Sequence, residues 1–364
     1  MSHLEQGPTA RSAHATKMVV MNAVIAGGEA GGAAATLPRA AEAHEDHSFL
    51  STIMELTKPR ITRLVTITSA VGYVAAAVGR PVWLTTDLLG SFIGCLVGTA
   101  CSASGANALN QWMERRRDGM MPRTCARPLP QRRLTPRTAL VAGLAFCVVG
   151  VLTLLLFAGP AAALVSLSTI LLYLLVYTPL KPVTTVSTLI GAVPGALPPL
   201  IGWTAAAGVA AGASVNVNGQ AAAWYEPLLQ AGGWSLFLLM FVWQIPHFLA
   251  IAWMYREDYA KGGYRMLSLL DPSGVRTSST ILLWSVALIP ATLSPSLAMP
   301  DRLSIAYPIA AAVTGIAYLW LGWKFFQSPT RPNARRVFFA SIMHLPLLLM
   351  VMVADAVVTS LFLK

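Results

Sequence analysis

Long apolar runs alternate with short polar stretches along most of this chain. Nine runs, near residues 61–79, 88–112, 138–158, 161–180, 186–208, 233–254, 277–298, 304–325 and 337–360, each approach the roughly 20 residues that a bilayer-spanning helix needs. They predict an all-α, polytopic integral membrane protein with about nine transmembrane helices. Residues 1–48 break the pattern: they are Ala, Gly, His and polar residues with little periodicity. The weakly apolar Met18–Gly28 stretch is too short to span. We read 1–48 as a disordered cytoplasmic tail and 49–364 as the transmembrane domain.

Composition and charge agree with this and add an orientation. Of 364 residues, 55% are hydrophobic and 11% charged, where a soluble domain has about 25% charged. The formal net charge is +11, and most of it sits in alternate loops. Residues 113–137 hold eight arginines; later loops on that side hold Lys181, then Arg256, Lys261, Arg265 and Arg276, then Lys324, Arg331, Arg335 and Arg336. The intervening loops, 81–87, 209–232 and 299–303, are nearly uncharged. This places the N-terminus and the basic loops in the cytoplasm and the C-terminus outside. The tail has only Arg11 and Arg39, which is poor for a mitochondrial presequence, so a bacterial inner membrane is expected. No basic stripe interleaved with aromatics lies outside the membrane, which excludes nucleic-acid binding. Cys95, Cys101, Cys125 and Cys147 form no CxxC pair and read as small core residues.

One stretch carries the candidate chemistry, NQWMERRRDGMMPRTCARPLP from Asn110 to Pro130. Asn110, Glu114 and Asp118 are spaced i, i+4, i+8, so on a helix they share one slowly drifting face, about 6 Å apart per step. Arginines surround them. Hard oxygen ligands beside guanidinium forks suit a metal-chelated phosphate on an apolar molecule. The set spans about 12 Å of helix rise, too long for one ion unless the helix bends, so one or two ions bridged by phosphate oxygens fit better. The bland alternative is a helix end reaching water. RTCARPLP then sets Arg123 and Arg127 four apart in a loop stiffened by proline.

A second cluster closes the sixth predicted helix. Trp243, Gln244, Pro246, His247 and Phe248 lie in the apolar run, followed by Arg256, Glu257, Asp258, Tyr259 and Lys261. An ionisable group at membrane depth suggests function; the alternative is a neutral His247 bonded to the carbonyl that Pro246 frees. Asp258 with Glu257 reads as a second acidic site facing the first, or as a solvated charge pair. Trp243, Phe248 and Trp203 are candidate walls of a dry cavity. The fifth predicted helix is dense in Gly191, Pro194, Gly195, Pro198, Pro199 and Gly202, which suits either a cavity lining or close helix packing. Just before it, Tyr177, Thr178 and Lys181 are placed to reach a phosphate.

The Asn110–Pro130 stretch resembles the first Asp-rich motif of the UbiA superfamily of intramembrane prenyltransferases. TKPRITRL, YTPLKPVTT, GAVPGALPPLIGWTAA and FVWQIPHFLAIAWMYREDYAKGG, in that order, resemble the branch of that superfamily that farnesylates protohaem IX. The resemblance implies helices around a central cavity that opens laterally to lipid. It implies farnesyl diphosphate held by Mg²⁺ on Asn110, Glu114, Asp118 and Asp258, with Arg115, Arg123, Arg127, Lys181 and Arg256 offsetting its charge. The acceptor would be the 2-vinyl group of haem B, yielding haem O for haem–copper oxidases, with haem A synthase or oxidase assembly factors as candidate partners. His247 is then expected to meet the haem, through its iron or a propionate. Glu114 and Arg116 depart from the family pattern, which often has Asp at both positions. Rival readings are a quinone or aromatic prenyltransferase of the same superfamily, a non-catalytic transporter, and a structural assembly protein.

Overall fold

The computed structural model describes residues 48–78, 85–213 and 223–362; the proposed 1–47 part of the tail lies outside them. Among the described residues all regular structure is helical. A short α1 (Phe49–Leu56) precedes α2 (Pro59–Ala77), α3 (Thr86–Asp118), α4 (Pro136–Phe157) and α5 (Pro160–Leu171). The chain goes on through α6 (Ser187–Ala196), α7 (Pro198–Ala213), α8 (Ala231–Met254), α9 (Arg256–Lys261), α10 (Val275–Ala298), α11 (Ala306–Gln327) and α12 (Arg331–Phe362). Helices start where the sequence supplies Pro in the first turn (Pro59, Pro136, Pro160) or a hydroxyl cap: Thr85 and Thr135 accept from the backbone N–H of Leu88 and Thr138.

Every predicted apolar run is helical, and eight spans among the described residues are long and apolar enough to cross a bilayer. The first predicted span, α2, falls short on composition because Arg60 and Arg63 sit in its first turns. The fifth is two helices, α6 and α7, because Pro198 breaks the ladder after Leu197. The second runs past residue 112 to Asp118, 33 residues in all. At 1.5 Å per residue that is about 50 Å, longer than the roughly 30 Å hydrocarbon core. Its last turns persist because Gln111, Glu114 and Asp118 are buried and paired rather than solvated.

Many consecutive helices pack together, α2 also packs extensively on α7, and α12 returns against α8 and α2. The Gly- and Pro-rich span is close packing: a Cβ on Gly202 would meet the Ser69 carbonyl, and one on Gly72 the Pro199 carbonyl, so α2 and α7 touch backbone to backbone. Arg302, in a loop that looked nearly neutral, caps the end of α2 by donating to the Ala75 carbonyl at 2.6 Å and covers the Trp203 ring. Trp203 itself donates to Gln230 at 2.8 Å and packs there rather than beside His247. Large apolar side chains such as Leu156, Leu297, Met343 and Met350 face outward, as an integral membrane protein requires.

Candidate active site

The face predicted on α3 exists, and each of its three residues meets a basic side chain. Lys58 Nζ donates to Asn110 Oδ1 at 2.9 Å. Lys181 Nζ pairs with Glu114 Oε1 at 2.8 Å. Arg127 Nη1 lies 2.8 Å from both Asp118 carboxylate oxygens. Asn110, Glu114 and Asp118 are all buried. Three basic side chains face two carboxylates, an arrangement suited to an anionic ligand.

Local chain geometry explains the partners. After α5 the helix widens into a π-turn over Leu172–Tyr177 ahead of Pro179, a feature frequent at functional sites. This turn presents Thr178, which accepts from Asn110 Nδ2 at 3.2 Å and donates to the Tyr173 carbonyl at 2.8 Å. It also sets Tyr177 against the Lys181 ammonium, 4.6 Å from the ring centroid. Lys58 caps α2 in a left-handed conformation, φ 51°, that a non-glycine residue holds only at a cost.

The second basic loop docks onto this frame. Arg265 N donates to the Lys181 carbonyl at 3.0 Å, and Arg117 Nη1 to the Gly263 carbonyl at 3.2 Å. Tyr264 lies between them, with the Arg117 guanidinium 5.7 Å and the Lys181 ammonium 6.0 Å from its ring centroid. Burial raises the Tyr264 phenol above its ordinary range, and Glu114 adds to this. Burial, helped by Arg127, lowers the Lys58 ammonium to about 7. Burial also opposes the charge on Lys181, yet Tyr177 and Glu114 outweigh it and hold that ammonium well above the lysine range.

His247 sits in a second sector. Its ring stacks between Trp243, 4.9 Å away, and Phe338, 5.2 Å away. Its Nδ1 is 2.6 Å from Ser341 Oγ, not bonded to the carbonyl freed by Pro246. The Ser341 hydroxyl donates to the Phe338 carbonyl at 2.6 Å, so His247 Nδ1 must be the donor and Nε2 carries the lone pair. Trp243 Nε1 donates to the Ser341 carbonyl at 2.9 Å and fixes the same turn.

The structure therefore gathers Asn110, Glu114, Asp118, Arg127, Lys181 and Tyr177, and sets Trp243 beside His247. Arg123 and Tyr259 meet at the edge: Arg123 lies over the Tyr259 ring at 5.5 Å and the Tyr255 ring at 5.1 Å. Arg115 turns away, bonding the Trp112 carbonyl at 2.6 Å. Asp258 and Arg256 line a separate small cleft with Trp253 and Arg331, and Arg256 covers the Trp253 ring. Lys58, Tyr264 and Ser341 were not candidates by sequence. Lys58 had one available signal, a lysine immediately before a helix-starting proline.

Among the described residues no three His, Cys, Asp or Glu side chains converge as a metal cage. The donors on α3 are hard oxygens in a row, and such a row fits Mg²⁺ that completes its shell with phosphate oxygens and water.

Comparison with known proteins agrees with this geometry. Residues 65–345 match the model of the UbiA prenyltransferase family. The chain belongs to that family. It is 41% identical over 306 residues to a protoheme IX farnesyltransferase of Opitutus terrae, covering 84% of this chain and 94% of that one. It is 39% identical over 307 residues to one of Solibacter usitatus, covering 83% and 97%. Two solved structures share the fold at low identity. A digeranylgeranylglyceryl phosphate synthase matches with TM-score 0.66 at 16% identity, over 85% of this chain and 98% of that one. A UbiA homolog from Archaeoglobus fulgidus bound to GPP and Mg²⁺ matches with TM-score 0.59 at 14% identity, over 84% and 99%. The protein is thus a UbiA-type membrane prenyltransferase.

Proposed function

We propose that this enzyme transfers the farnesyl group of farnesyl diphosphate to the 2-vinyl group of protohaem IX, with addition of water, to make haem O. The observation that carries the reading is the buried row Asn110, Glu114, Asp118, each residue met by a basic side chain, with an aromatic-stacked histidine on α8. The relatives named for the same transfer support the acceptor.

Mg²⁺ held by Asn110, Glu114 and Asp118 supplies charge neutralisation of the diphosphate when bound. Lys58 then exchanges its amide contact, and Lys181 and Arg127 their carboxylate contacts, for phosphate oxygens, which favours loss of the diphosphate from C1 of the chain. The C1–O bond breaks, and C1 bonds to the terminal carbon of the vinyl group. The positive charge moves to the ring-side carbon, where water adds and gives up a proton. Tyr173 and Tyr177 shield the allylic cation from early hydration. Arg123 and Tyr259 hold the loop over the cradle, and His247, with Nε2 unprotonated, contacts the haem. From the second loop, Asp258 and Arg256 are assigned to the diphosphate on the resemblance alone, as is Arg115.

The basic loops support a cradle on the cytoplasmic side, and the arginine-poor tail supports a bacterial inner membrane. A lipid-embedded product of this kind passes to haem A synthase or to oxidase assembly factors. The test is purified protein with protohaem, farnesyl diphosphate and Mg²⁺, read by mass spectrometry. A haem heavier by farnesyl plus water is expected. Unmodified haem alongside a prenylated quinone precursor would move the acceptor to the quinone branch.

A further inference from the structure

A groove on the flank of α12 has no role in the reading above. It encloses about 900 Å³, within the roughly 300–1,000 Å³ typical of small-molecule sites. Arg331, Arg335 and Arg336 line it together with Phe338, Phe339 and Met343. Positions recurring at helical spacing put both sets along one side of α12.

The three arginines have no carboxylate partner among the described residues. Arg335 lies over the Phe339 ring at 5.3 Å, and Arg336 donates to Asn333 Oδ1 at 3.1 Å. The positive-inside rule explains which side of the bilayer they occupy. It does not explain why they line an aromatic-walled groove. That wall is shared with the histidine sector, since Phe338 stacks on His247 and Ser341, one turn on, holds its Nδ1. From Arg335 to Ser341 the helix rises about 9 Å, comparable to the reach from a porphyrin's carboxylates to its centre. Tyr255 also lines the groove and lies under Arg123 of the cradle loop.

We propose that this groove docks the acceptor: a flat dianionic tetrapyrrole with its two propionates on Arg331, Arg335 and Arg336 and its ring against Phe338 and Phe339. This rests on the porphyrin reading of the acceptor. Guanidinium forks match carboxylates in geometry, and three of them across little more than one turn match two separated anions better than a single lipid phosphate. Aromatic faces match a planar ring. Propionates and vinyls occupy opposite halves of protohaem, so anchoring the propionates leaves the reacting edge free.

The test is a Soret-band titration of detergent-purified full-length protein with protohaem and with protohaem dimethyl ester, for wild type and Arg335→Gln/Arg336→Gln. Charge-assisted bonds of this kind contribute about 1.5–3 kcal/mol, so wild type should bind the diacid about 10- to 100-fold tighter than the ester. The variant should lose that margin while binding the ester as wild type does, with KM for farnesyl diphosphate unchanged. Equal wild-type affinity for both porphyrins, or equal loss of both in the variant, would overturn the proposal. So would intact haem affinity with loss of co-purifying anionic phospholipid, which gives the groove to lipid. The titration needs no prenyl donor, so a failure of farnesyl transfer is seen separately by mass spectrometry.

Discussion

Lys181 and Glu114 form a buried ion pair, Nζ to Oε1 2.8 Å, between residues 67 apart in sequence. Such a pair contributes little net stability, but removing one partner strands the other charge and costs about 3–5 kcal/mol. Lys181→Met should therefore lower thermal stability in detergent sharply, and Lys181→Met/Glu114→Gln should recover most of it. Neither variant should turn over. Single and double variants with equal melting temperatures would deny that the pair is coupled.

Lys58 separates backbone from side chain. At φ 51° glycine is the comfortable residue and alanine is strained. Lys58→Gly should fold at least as stably as Lys58→Ala, yet both should lose the donor to Asn110 and about 10- to 100-fold in kcat/KM for farnesyl diphosphate, a charge-assisted bond's worth. Retained turnover in Lys58→Gly would confine Lys58 to a structural role.

Asp118 is assigned to the metal–diphosphate ligand. Asp118→Asn should abolish diphosphate release and leave the haem titration unchanged, and chelation of Mg²⁺ should do the same to wild type. Wild-type turnover in Asp118→Asn removes the metal role.

His247 is held as the Nδ1–H tautomer by Ser341. His247→Ala should shift the haem absorption spectrum and raise KM for protohaem while leaving KM for farnesyl diphosphate alone. An unchanged spectrum together with unchanged turnover would take His247 out of the haem site.

The contact of α2 with α7 sets how closely these two helices pack. Gly202→Ala would drive a methyl into the Ser69 backbone, and overpacking costs typically 1–3 kcal/mol. A lower melting temperature is expected, with activity falling only as the folded fraction falls. A melting temperature equal to wild type would mean the helices separate without cost.

By itself the sequence determined the features that depend on local periodicity and composition. Among the described residues helices lie where the nine apolar runs lie, the fifth run divided in two at Pro198, since a spanning segment must satisfy its own backbone hydrogen bonds. Asn110, Glu114 and Asp118 share a face because helical spacing makes them do so. The tertiary structure decided what those groups meet. Lys58 reaches Asn110 across 52 residues and Ser341 orients His247 across 94, distances over which no spacing rule operates. It also set Asp258 in a cleft beside Arg256 and turned Arg115 onto Trp112. Where a long side chain goes depends on partners from other helices, and burial makes each unpaired charge too costly to leave alone.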